Sequence, residues 1–162
     1  MAEAYRLGVA QAGDYEAVCS LLDELDRLHW QSLPWLFRAP PSPPRDLAFF
    51  SKLLADPNSI VFVARADAVI GVAIALLKSA PEFNVFIPQR WGVIDNISVA
   101  SSWQRKGVGA ALAHAVEKWA QTQGAKWVEL GVYDFNENAR TFYERLGYLP
   151  LSRKLRKVSA TE

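Results

Sequence analysis

A single cysteine, Cys19, stands in the 162-residue chain, so no intramolecular disulfide can form and no second thiol is at hand for a metal site. Cys19 falls within a run of helical spacing, which points to a small buried hydrophobe and to a chain without a metal. Charge of one sign is also missing. Eighteen Lys and Arg against 17 Asp and Glu leave +1, and this withdraws the bulk electrostatic case for a nucleic-acid partner or an acidic membrane surface. The longest apolar run, Val69 to Leu77, has nine residues including Gly71, against the ~20 that span a bilayer. Met1-Ala2-Glu3-Ala4-Tyr5-Arg6 contains no cationic stretch followed by an apolar one, so the expectation is a cytoplasmic protein with no membrane partner. What remains is the composition of an ordinary globular domain, 51% hydrophobic and 22% charged, expected to run over 1–162 as one unit. Six Trp is the unusual count.

Periodicity then divides the chain. Tyr5 to Val9 reads as a short strand, with Asp14 as N-cap of a helix from about Tyr15 to Leu28. His29 to Arg45 mixes Trp30, Trp35 and Phe37 with a proline-rich run and reads as a loop, followed by a short helix from Asp46 to Leu54. Ile60 to Arg65 and Val69 to Lys78 form a hairpin pattern. After the loop Ser79 to Arg90 comes a strand from Trp91 to Val99. The clearest helix follows, with Val108, Ala111, Leu112, Ala115, Val116, Trp119 and Ala120 on one face and Gly124 as terminator. Trp127 to Val132 is a further strand, Asn136 caps a last helix ended by Gly147, and Tyr148 to Leu151 and Leu155 to Val158 are candidate closing strands. The order specifies an α/β domain with a mixed sheet, because the hairpin is antiparallel while strand-helix-strand units favour parallel pairing.

One segment carries most of the chemistry. Gln104-Arg105-Lys106-Gly107-Val108-Gly109 joins a strand to a helix and reads Q-x-x-G-x-G. Glycines let the backbone come close to a ligand, and free N–H groups at a helix start favour an anion such as phosphate. A Walker A loop would need Lys-Ser/Thr after its last glycine, where this chain has Ala110-Ala111. A Rossmann fingerprint would need Gly or Ala where it has Leu112. A nucleotide-phosphate enzyme is therefore disfavoured. About 30 residues on, Asn136-x-x-Ala139-x-x-Phe142-Tyr143-x-x-x-Gly147-Tyr148 follows another strand.

Together these two motifs resemble the GNAT superfamily of acetyl-CoA-dependent N-acetyltransferases. The resemblance implies a mostly antiparallel central sheet with a splayed parallel strand pair, flanked by about four helices. It implies a cofactor cradle of Gln104, Arg105, Lys106, Gly107, Val108, Gly109 and Ala110 for the pyrophosphate of acetyl-CoA, with the backbone of Ile97, Ser98 and Val99 along its pantetheine arm. Asn136 and Ala139 match positions that contact the same arm, and Tyr143 matches a tyrosine near the cofactor sulfur. Core packing of Tyr143 and simple capping by Asn136 are the structural alternatives.

Acetyl transfer to an amine needs a proton acceptor and a proton donor. An ordinary amine with a pKa of about 10.4 costs roughly 4–5 kcal/mol to hold neutral at pH 7. The departing thiolate needs a donor, for which Tyr143 is the candidate. Asp95, in the central strand, is the candidate base, with a structural carboxylate as the alternative. Glu82 and His29 are fallback bases, and His114 reads as solvated. By the same resemblance, His29 to Arg45 and Ser79 to Arg90 form the acceptor side for a small-molecule or peptide amine. Their aromatic residues could instead pack a homodimer contact. The expected activity is N-acetyl transfer by direct attack in a ternary complex. A non-catalytic coenzyme A-binding sensor is the other class the residues allow.

Overall fold

Strands β1 (Arg6–Val9), β2 (Ser59–Arg65), β3 (Val69–Ser79), β4 (Arg90–Val99) and β5 (Val128–Leu130) form one sheet, in that order, in a computed structural model that describes residues 4–159. The first three pairings are antiparallel and the β4–β5 pairing is parallel, so the sheet is mixed and mostly antiparallel. Helices α1 (Tyr15–Ser32), α2 (Leu47–Ala55), α3 (Val108–Thr122) and α4 (Glu137–Arg145) complete the regular structure. The chain divides between Gly131 and Val132 into two units, the first holding the sheet with α1 to α3 and the second holding α4 with the C-terminal segment.

Each face of the sheet has its own cover. On one, Val18, Leu21 and Leu22 of α1 and Phe50 of α2 meet Val61, Val63, Val72 and Ile74 in a buried cluster. On the other, α3 sits so close that side chains at two glycines would collide with it. A Cβ at Gly71 would lie 3.0 Å from Leu112 Cδ1, and one at Gly92 would lie 2.9 Å from Ala120 Cβ. Glycine at these positions fixes the approach of the helix that follows the Q-x-x-G-x-G loop.

Several boundaries differ from the expected ones. Helix α1 runs to Ser32 rather than Leu28, because Pro34 and not His29 is the first residue that forbids its continuation, and Leu33 N closes on His29 O at 2.8 Å. Asp14 precedes α1 but makes no side-chain cap to it. Its carboxylate accepts from Gln11 N at 2.7 Å and from Arg65 Nη1 and Nη2 at 2.5 and 2.7 Å, tying the helix start to the end of β2. Strand β5 has three residues instead of the expected Trp127 to Val132. The segments Tyr148 to Leu151 and Leu155 to Val158 are not strands: Leu149, Leu151, Leu155 and Val158 are exposed, and local β-pattern without a neighbouring ladder does not hold an extended chain.

The β3–β4 register contains one irregularity that matters later. Ile74 pairs with Asn96 and Ala75 with Ile94, so Asp95 is an extra residue on β4, a β-bulge. Before the bulge Gly92 points its backbone toward β5, donating N–H to Trp127 O at 2.9 Å. After it the parity is reversed.

Candidate active site

Strands β4 and β5 are paired only from Gly92–Val128 to Ile94–Leu130, while β4 continues to Val99. They therefore part at the bulge, as a splayed parallel pair would. Ala100 N–H bonds Ile70 O on the β3 side at 2.9 Å, and strand alternation then turns the backbone of Val99 and Ile97 toward the open side and that of Ser98 toward β3. The Ser98 hydroxyl donates to Leu21 O at 2.9 Å, fastening α1 across β4. Of Ile97, Ser98 and Val99, the first and last turn backbone groups to the open side, and Ser98 ties α1 to β4.

At the end of β4 the loop is shaped by two left-handed residues. Arg105 has φ 60° and Gly107 has φ 85°. A non-glycine residue in this region carries a conformational cost of order 1 kcal/mol, and such strain is found where the chain serves a ligand. Gln104 is exposed and donates Nε2–H back to Val99 O at 3.1 Å, closing the loop. Lys106 Nζ lies 5.0 Å from the Trp103 ring centroid. Gly107 caps α3 without a side-chain hydrogen bond, and the first intrahelical bond outside it is Ala111 N to Gly107 O at 3.0 Å. The amides of Val108, Gly109 and Ala110 thus head the helix uncapped, where the positive end of its dipole lies. An anionic diphosphate fits this arrangement.

In the second unit, Asn136 Oδ1 accepts from Ala139 N at 3.0 Å and caps α4. Gly147, with φ 91°, closes the other end, with Tyr148 N bonding Tyr143 O at 3.0 Å. Tyr143 is buried, its ring edge-on to Phe142 at 4.9 Å and to Tyr148 at 5.4 Å. Burial pushes its phenol above the ordinary tyrosine range, because the phenolate would lose its hydration.

The other titratable candidates scatter. Asp95 is exposed at the bulge rather than enclosed in an apolar strand. His29 belongs to α1, where Nδ1–H donates to Leu25 O at 2.9 Å, and its ring lies 5.5 Å from Phe37. Glu82 is exposed in the loop before β4. His114 instead borders a surface hollow of about 490 Å³ with Glu117, Lys118 and Trp127, away from the splayed edge of β4. Among the described residues no group of His, Cys, Asp and Glu could hold a metal ion, and no helix is long and apolar enough to cross a membrane. Sequence reading did not reveal the left-handed Arg105, for which residue type gives no signal, or the loop-closing use of Gln104.

Residues 22–148 match the family model described as Acetyltransferase (GNAT) family. The chain is 28% identical over 101 residues to an uncharacterized N-acetyltransferase, YhfO, of Bacillus subtilis (strain 168), a match covering 62% of this chain and 66% of that protein. It is 37% identical over 67 residues to L-ornithine N5-acetyltransferase NATA1 of Arabidopsis thaliana, covering 41% of this chain and 29% of that protein. The chain thus spans less than two thirds of either curated relative. In fold it is similar to a crystal structure of a BH1408 variant from Bacillus halodurans, with TM-score 0.91 and 21% identity over 96% of this chain and 99% of that one. An aminoglycoside N-acetyltransferase, AAC(6')-Iy, in complex with CoA gives TM-score 0.78 and 19% identity over 98% and 96%.

Proposed function

As this chain belongs to the GNAT acetyltransferase family, we propose that it transfers an acetyl group from acetyl-CoA to the primary amine of a small molecule or peptide by direct attack in a ternary complex. The observation that carries the reading is the open side of β4, which begins at the Asp95 bulge and ends in the strained Arg105–Gly107 loop. The uncapped amides of Val108, Gly109 and Ala110, with Arg105 and Lys106 beside them, would hold the diphosphate. Ile97 and Val99 would pair with the pantetheine amides along the open edge, and Asn136 and Ala139 would add contacts from the α4 motif. When bound, acetyl-CoA supplies an acetyl thioester activated toward nucleophiles. Asp95, directly or through water, accepts the proton that the acceptor amine sheds on attack. Tyr143, kept protonated by its burial, would donate a hydrogen bond to the leaving sulfur.

The relative that acts on L-ornithine, by its name, and the fold neighbour that acts on aminoglycosides support an acceptor that is a small amine. Thiol release from acetyl-CoA, measured over a panel of primary amines, tests the reading. Turnover with at least one amine is expected. Tight acetyl-CoA binding with no turnover on any of them would make the chain a coenzyme A-binding module instead.

A further inference from the structure

The loop that ends β4 is met by a side chain from the far edge of the sheet. Three antiparallel pairings separate β1 from β4, so the two strands run in opposite directions, and the start of β1 shares one end of the sheet with the finish of β4. Three ladder spacings, about 14 Å, lie between them. Side chains cross that gap. Tyr5, the residue before β1, sets its ring edge-on to Trp103, with centroids 6.4 Å apart and planes at 83°. Its hydroxyl lies 3.9 Å from the point a Cβ of Gly107 would occupy, so this one tyrosine borders the loop both before and after Lys106. Trp103 is fixed by the chain as well. It closes a short 3-10 turn in which its N–H donates to Ala100 O at 2.8 Å, and it is half-buried while Arg105, Lys106 and Gly107 are exposed. Over this ring sits the Lys106 ammonium, 5.0 Å from the centroid.

An exposed lysine spreads its charge over many rotamers, and it gives them up when it binds an anion. An aromatic face selects among those rotamers in advance by drawing the ammonium to its electron-rich surface. An ammonium on a ring still directs N–H donors away from the ring, so the same charge can serve an anion. Lys106 stands between the left-handed Arg105 and Gly107, and Gly107 is the N-cap of α3, so the held charge is one residue from the uncapped helix head. We propose that Trp103 is a positioning residue of the cofactor site. Braced by Tyr5, it holds the Lys106 ammonium in place for the phosphates that the head of α3 would receive. The proposal rests on the acetyltransferase reading above, which puts the diphosphate there, and it makes a residue ahead of the far-edge strand a determinant of cofactor affinity.

The test is a double-mutant cycle read by calorimetric titration of acetyl-CoA. Trp103→Leu should raise Kd by about two- to fivefold, Tyr5→Leu should raise it by less, and Trp103→Phe, which keeps a ring, should recover most of the loss. In a Lys106→Gln background Trp103→Leu should have no further effect, because the ammonium it positions is gone. With any amine that turns over, Trp103→Leu should raise KM for acetyl-CoA and keep kcat at saturation. Wild-type affinity in Trp103→Leu, or a loss that persists undiminished in Lys106→Gln, overturns the proposal, while acetyl-CoA binding by the wild type still upholds the cofactor site. If Trp103→Leu does not melt cooperatively, Tyr5→Leu with and without Lys106→Gln decides the same question by the same criterion. A wild type that does not bind acetyl-CoA removes both the proposal and the reading on which it rests.

Discussion

At the scale of single residues, the two side chains proposed as proton donor and proton acceptor, Tyr143 and Asp95, have opposite surroundings, one buried and one exposed. Tyr143 is buried, and the resulting upward shift of its phenol keeps it protonated across the neutral range and into alkaline solution, the state a donor needs. Replacing it with Phe leaves the ring packing against Phe142 and Tyr148 and removes only the proton. The expected result for Tyr143→Phe is a fall in kcat of about 10²-fold with little change in KM for acetyl-CoA, read by thiol release. Asp95 is exposed on an extra strand residue. Its place in the central strand was readable from sequence. Its position on a bulge was not, because Val93-Ile94-Asp95-Asn96-Ile97 looks like continuous strand and nothing in residue type marks the slip. Tryptophan abundance was the only sequence sign of the Trp91–Trp127 stack, since strands far apart in the chain had to be placed side by side before the two rings could meet.

At the scale of elements, caps were legible and tethers were not. Asn136 and Gly147 bound α4 as their residue types demand, and Gly124 ends α3 with φ 79°. Asp14 also reads as a cap, yet its carboxylate is drawn to Arg65, 51 residues away, a contact that exists only once β2 is beside the start of α1. The hydrogen bond from Arg65 holds the Asp14 carboxyl below the ordinary carboxylate range, outweighing desolvation, with Gln11 N–H adding to it. A depressed folded-state value contributes stability above the unfolded value near 3.9, and the contribution is lost as pH falls through the folded one. Asp14→Asn should therefore melt below the wild type at pH 7, with the gap narrowing at pH 3. The loop into α3 obeys a different constraint. Gly107 has φ 85°, and a Cβ there meets only Tyr5 Oη at 3.9 Å, so Gly107→Ala is penalised by backbone conformation and not by crowding. A loss of about 1 kcal/mol in stability is expected, together with a raised KM for acetyl-CoA.

At the scale of the whole sheet, the bulge links fold to chemistry. The sequence order of the hairpin, β4, α3, β5 and α4 followed from hydrophobic period and turn residues, while several boundaries and the two closing strands did not. The reversal of parity at Asp95 required the β3–β4 register. Because of it, Ile97 turns its N–H to the open side of β4 while Ser98 bonds toward Val72 on β3. Proline distinguishes the two positions, since it removes an N–H and is tolerated where that N–H faces away from a ladder. Ile97→Pro should fold with a modestly lower melting temperature and lose about tenfold in acetyl-CoA affinity by calorimetry, because it removes the donor that the proposed function assigns to the cofactor arm. Ser98→Pro removes a ladder bond inside the sheet and should cost about 3 kcal/mol or more. If both variants fold equally well and bind acetyl-CoA as the wild type does, the pairing of a cofactor arm with this edge of β4 is wrong, and with it the reading of the bulge as the start of the reacting centre.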